Sequence, residues 1–171
     1  MDRRPLWQAL HDVGLAAWFG GAWMGAVGLN GATIEVDDHT QRTRVANAGW
    51  FRWAPIAGAT LVAHVVGAVA LGRLDVDRRG LHRDAPALAH ARTVLTGLAA
   101  LATLETGISG NRVVAGGDVP VASAVHPIRA TPDDVARAQR RLRVAQWAVP
   151  ASTGALLLLE ALQSTRGHSP R

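Results

Sequence analysis

The chain has 171 residues, enough for one domain. Its 18 basic residues are all arginine, against 13 acids and a net charge of +5, and there is no cysteine. That composition excludes a disulfide framework and a thiolate metal site. The arginines lie between apolar runs and not on one helix face, which suits anionic lipid head groups and argues against a nucleic-acid partner.

A bilayer core needs about 20 mostly apolar helical residues. Four runs meet that length. The first spans residues 13–34, with no charge between Asp12 and Glu35. It is rich in glycine, which in water weakens a helix by about 1 kcal/mol per residue relative to alanine. In lipid the backbone has no rival partner, so the helix forms regardless. Gly14, Ala17, Gly21, Gly25 and Gly28 recur at helical spacing and form one smooth face, with a GxxxG element at Gly21–Gly25. This face is expected to pack against the other helices, with homo-oligomerisation as the alternative. His11 and Asp12 stand at the mouth of this run. The basic start "MDRR" invites comparison with a signal peptide, but Asp12 interrupts it and no A-x-A site follows, so a retained span is expected.

The second run covers residues 53–72, between Arg52 and Arg73, with His64 as its one titratable group. Trp50, Phe51 and Trp53 flank Arg52 as an interfacial aromatic belt, and Pro55 falls in the first turn of the buried part. Ala57, Thr60, His64 and Gly67 share one side. An ionisable residue inside a span is a functional candidate. His64 reads as a haem or metal ligand, a proton relay, or a neutral imidazole bonded to a neighbouring helix. By run boundaries His64 lies roughly 12 Å deep and His11 is shallow. A bis-histidine site therefore requires helix one to sink further into the bundle.

The third run covers residues 93–111, with Glu105 as its single charge. Gly97, Ala100, Gly107 and Gly110 are nearly in line on it. Glu105 and Asn30 fall at similar levels, so Glu105 is expected to pair with Asn30, Arg44 or Arg112; a proton- or cation-linked role is the alternative. Residues 113–130 hold two prolines and two adjacent glycines and read as a long loop that caps the bundle or moves freely.

The fourth run covers residues 144–163, with Glu160 near its end as an interfacial acid. Upstream, Thr131 reads as an N-cap, Pro132 as the first helical residue, and Asp133 and Asp134 as first-turn acids. A helix from there to Leu162 is roughly 46 Å long, more than the hydrocarbon core needs. Pro150 is a candidate kink.

These elements predict an all-α, single-domain, four-helix transmembrane bundle with both termini on the same side. A mean hydropathy of +0.11 is low for a membrane protein. A soluble bundle, however, would place polar residues every third or fourth position, and the first run has none before Asn30. Orientation is undecided by charge, because nine arginines fall on each side; the basic start favours cytoplasmic termini. There is no G-x-S-x-G, H-E-x-x-H or Walker loop, and the glycines of residues 107–117 follow no strand. The expected function is that of a multi-pass cell-membrane protein without cofactor or enzymatic chemistry: a structural or accessory subunit, forming a homo-oligomer or part of a larger membrane complex. The alternative is a small transporter or a redox component binding haem or a metal, with His64 acting beside Glu105 or His11.

Two stretches, "AWFGGAWMGAVGLNGA" and "AQRRLRVAQWAVPASTGALLLLEALQ", resemble a family of small, largely uncharacterised four-span membrane proteins of actinobacteria, over Leu6 to Gln163 and including "RVANAGWFRWAP". That resemblance implies an integral membrane location and no assigned reaction. "LHDVGLAAWFGG" (Leu10 to Gly21) is similar to the first span of copper-resistance D-type membrane proteins. By that similarity His11 alone carries over, as a copper-site residue. The scarcity of methionine, with Met24 the sole internal one, departs from a copper-handling composition.

Overall fold

The computed structural model describes residues 3–79 and 86–166. Part of the loop between Arg73 and Arg92 and the C-terminal Arg171, both used in the arginine count, lie outside the described residues, as does the start of "MDRR".

The chain is helical. Helix α1, Arg4–Trp23, has proline in its first turn, where a missing N–H costs least. It continues without a break through a π-helical turn, Met24–Leu29, a short α turn, Asn30–Ala32, and a 3₁₀ turn, Thr33–Glu35. The π turn falls where Gly25 and Gly28 relax the side-chain crowding of a wider helix. Arg42 closes this rod: its guanidinium donates to the carbonyls of Ile34, Val36 and Ala122 at 3.0, 2.9 and 2.6 Å. A cation on helix-terminal carbonyls is favourable on both hydrogen-bond and dipole grounds. In the connecting turn, the hydroxyl and then the amide of Thr40 donate to Asp38 and hold its carboxyl below the usual range.

Helix α2 is Arg42–Arg79, so it starts well before the charge-free run. Pro55 therefore sits in a helix interior and not in a first turn. It leaves the Phe51 carbonyl without its usual donor, on an exposed face. Helix α3, Pro86–Ala115, also outruns its apolar segment at both ends and takes in Val113 and Val114. Gly117, at φ +74°, ends it in the left-handed region that glycine enters freely. Helix α4 is Asp133–Arg166, with Asp133 and Asp134 in its first turn and Pro150 inside it. Thr131 serves the loop instead of this helix. Its hydroxyl accepts from the Ile128 amide at 2.9 Å and donates to the Pro120 carbonyl at 2.7 Å.

Between α3 and α4 the loop forms a small antiparallel pair, β1 (Val121–Ser123) with β2 (His126–Pro127). It caps the bundle. Val121, Ala124 and Val125 are buried, the Ala124 amide donates to Thr33 Oγ1 at 2.9 Å, and Gln139 Nε2 donates to the carbonyls of Ser123 and Ala124.

Helices α1 and α2 pack tightly, as do α3 and α4, and α1 joins the two pairs through α4. Helices α2 and α3 scarcely meet. The core, Leu15, Trp18, Ala99, Val149 and Leu156, is drawn from α1, α3 and α4. Among the described residues, three helices are long and apolar enough to cross a membrane, over Arg42–Leu74, Ala87–Ala115 and Asp133–Leu162. Their large apolar side chains face outward: Val62, Val69, Leu101, Leu104, Val144 and Leu158 are all exposed.

Candidate functional site

The glycine face of α1 is used inside the chain. A Cβ on Gly14 would lie 2.6 Å from the His64 backbone nitrogen, and one on Gly67 would lie 2.6 Å from the His11 backbone nitrogen. Carbon and nitrogen do not approach that closely, so α1 and α2 touch backbone to backbone only because both residues are glycine. Farther along, Gly21 lies under the Trp53 indole and Gly25 under the Trp50 indole. Gly28 faces the Met24 side chain of its own helix turn, and Ala17 is half-buried.

This contact sets the register of the two helices and brings His11 level with His64. Their ring centroids are 4.4 Å apart, tilted by 37°. The adjustment that a histidine pair demands is thus made: α1 begins at Arg4, and His11 is a buried residue of its interior instead of a group at its mouth. His11 also faces two carboxylates. Its Nδ1 is 3.0 Å from Asp12 Oδ1, and its Nε2 is 3.3 Å from Glu160 Oε1. Glu160 accordingly turns inward against expectation, and Arg92 of α3 adds a positive charge beside it. One donor atom each from His11, Asp12 and Glu160 falls within 4.8 Å of the others.

His64 is 2% exposed. Its Nε2 lies 3.4 Å from Thr96 Oγ1, and its Nδ1 has no hydrogen-bond partner among the described residues. A buried polar atom left unpaired is costly, and such atoms gather at sites that take a ligand. The Trp18 indole lies 6.1 Å from the His64 ring and donates to Thr103 Oγ1, walling the pair on its inner side. Asp12, by contrast, is 53% exposed at the side chain, so the cluster opens outward through it.

The donor set suits an ion better than a macrocycle. One imidazole and two carboxylates within reach of one another, with the His64 ring 4.4 Å from that of His11, match a borderline divalent ion such as Zn²⁺ or Fe²⁺. In a bis-histidine haem each imidazole binds the iron through one nitrogen at about 2 Å, which sets the ring centroids roughly 6 Å apart, and these two stand at 4.4 Å. Cu⁺ prefers sulfur, and Met24 packs at the other end of α1.

The other polar residues of the spans do not join this cluster. Asn30 does not meet Glu105. Its Nδ2 donates to Gln146 Oε1 at 2.8 Å, and its Oδ1 accepts from the Trp50 indole at 2.8 Å. Glu105 accepts from Ser109, one turn along its own helix, at 2.8 Å. Gln146, Trp50, Asp12 and Arg92 were not singled out as site residues from the sequence. The signal for Arg92 was topological. In an up-and-down bundle the start of α1, the end of α2, the start of α3 and the end of α4 share one level, which places His11 beside Arg92 and Glu160.

No protein-family model matches the chain, and neither a curated protein nor a solved structure matches it.

Proposed function

We propose that this chain is a four-span integral membrane protein that binds a divalent transition-metal ion between His11, Asp12 and Glu160, with His64 as a further donor. The helical rod from Arg4 to Glu35 supplies the fourth span: residues 13–34 carry no charge, and its outer face shows Val13, Met24 and Val27. In water the exposed valines and leucines of α2 and α3 would form an apolar surface far beyond what a soluble monomer tolerates; in a bilayer the same surface is solvated. Four spans put both termini on one side of the cell membrane.

The single observation behind the metal reading is that ligand-type atoms from the first and last helices converge within 4.8 Å, next to a buried imidazole nitrogen with no partner. A divalent metal here would have its charge met by the two carboxylates, while Arg92 offsets the Glu160 charge when the ion is absent. This reading favours the metal-binding alternative over a purely structural subunit, because the small face of α1 is already occupied by α2. A second reading rests on the two nitrogens of His11, each against a carboxylate: without metal, Asp12, His11 and Glu160 form a chain suited to holding a proton.

The test is metal analysis of protein purified in mild detergent, followed by calorimetric titration with Zn²⁺ and optical titration with Co²⁺. Stoichiometric binding that His11→Ala and Glu160→Gln each abolish supports the site. Metal-free protein that takes up neither ion overturns it.

A further inference from the structure

The weak contact between α2 and α3 leaves a cavity of about 590 Å³, within the range of small-molecule sites. Its walls hold no arginine and no acid. In a chain with 31 charged residues, that absence bears on what the cavity takes: a phospholipid head group or an ionic solute would enter without a counter-charge. The small residues of α3 keep the space open. Ala100, Gly107 and Gly110 line it, and a Cβ on Gly107 or Gly110 would meet nothing within 4 Å. Gly107 and Gly110 thus face open space instead of a packed helix.

The lining is polarised along the bundle axis. At the end where α2 begins and α3 finishes, it carries Thr43, Asn47, Asn111 and Gln146. The side-chain amides of Asn47 and Asn111 are engaged by no other described residue. Deeper along the spans the lining becomes Ala57, Gly58, Leu61, Ala100 and Leu104. Four aromatic rings, Trp18, Trp50, Phe51 and Trp53, stand along the wall. An occupant that satisfies this surface has a neutral head with hydrogen-bond acceptors, a flat conjugated ring that packs on indoles, and an apolar tail directed towards mid-membrane.

We propose that the cleft between α2 and α3 binds a lipid-soluble quinone, its ring carbonyls accepting from the amides of Asn47 and Asn111 and its tail lying along Leu61 and Leu104. The proposal rests on the bilayer part of the reading above and not on the metal site. Trp18, which lines the cleft and also approaches His64, separates the two sites by one side chain.

The experiment uses the full chain in phosphatidylcholine nanodiscs, titrated with decylubiquinone while tryptophan fluorescence is followed. Quinones quench nearby indoles, and three of the six tryptophans line the cleft. Saturable quenching is expected. The double variant Asn47→Ala/Asn111→Ala should weaken it at least about tenfold, from two lost hydrogen bonds. Gly107→Leu should abolish it by filling the cavity. Ala100→Leu, a milder filling, serves as the second variant should Gly107→Leu fail to incorporate. Quenching linear in quinone and equal in all variants means collision in the lipid and overturns the proposal. Displacement by dioleoylglycerol as effective as by decylubiquinone overturns the quinone assignment, since acyl chains alone would then suffice. Cross-linking between copies of a Gly58→Cys variant in native membranes overturns it as well, with a second copy as occupant. Protein that does not incorporate into nanodiscs at all refutes the bilayer reading instead, and Zn²⁺ titration reports on the metal site independently.

Discussion

His11 and His64 stand with ring centroids 4.4 Å apart because Gly14 and Gly67 let α1 and α2 touch at the backbone. Neither glycine is near a turn. Each serves as an absent side chain opposite a histidine nitrogen.

Gly67→Ala is therefore expected to push the helices apart. Overpacking of this kind costs about 1–3 kcal/mol, and the loss should appear as a lower unfolding temperature in detergent together with weaker Zn²⁺ binding. Gly72→Ala is the control, since a Cβ there meets nothing within 4 Å. Equal behaviour of the two variants would show that the backbone contact is unimportant.

Metal affinity should fall as the pH is lowered. An imidazole ligates only when neutral and a carboxyl only when ionised, so protons compete with the ion for each donor. Competition should strengthen as the pH falls, by up to roughly tenfold per pH unit for each donor that takes up a proton. A Zn²⁺ titration repeated from pH 8 to pH 4 checks this, and a flat profile would mean that His11, Asp12 and Glu160 do not coordinate.

Asn30 links three elements through Gln146 and Trp50. Asn30→Ala removes both bonds and leaves a Gln146 oxygen and an indole N–H unpaired. The expected loss is about 1–2 kcal/mol. In a double-mutant cycle, Gln146→Ala should cost markedly less in the Asn30→Ala background than alone. Strict additivity in denaturant unfolding would show the pair to be uncoupled.

Arg42 joins the end of the α1 rod to the capping loop through three carbonyls. Arg42→Met should release the loop, and limited trypsin digestion should then cut at Arg129 several-fold faster than in the unaltered protein. Arg42→Lys should behave closer to Arg42→Met than to the parent, because an ammonium cannot spread over three acceptors as a planar fork does.

The first span can be tested directly, since the chain has no cysteine to remove. Arg3→Cys and Asp38→Cys should react with a membrane-impermeant maleimide from opposite faces of sealed vesicles. Labelling of both from one face would show that α1 does not cross.

Much of the architecture was readable in one dimension. Charge-free runs located the parts of α2, α3 and α4 that are long and apolar enough to cross a membrane, because a bilayer core excludes charge. They misjudged helix ends for the same reason. Arg42, Arg44 and Arg52 extend α2 before its apolar segment begins, and a count of uncharged residues stops where the hydrocarbon stops, while the hydrogen-bond ladder continues. Asn30 was readable as a buried polar group in need of a partner. Its choice of Gln146 and Trp50 over Glu105 was not, since that depends on which helices lie side by side.

The amino-acid order by itself determined the helical class, the outward apolar belt, and the list of polar groups that a bilayer would force to find partners. Those follow from local composition, because solvation by lipid acts on each segment separately. Only the tertiary structure decided that His11 meets His64, that Glu160 turns to His11, and that α2 and α3 part to leave a cleft. Each depends on the axial register and neighbour order of helices, set by sub-ångström fits such as Gly14 on His64 and Gly67 on His11. Such fits are properties of two surfaces together and are written in neither strand of sequence alone.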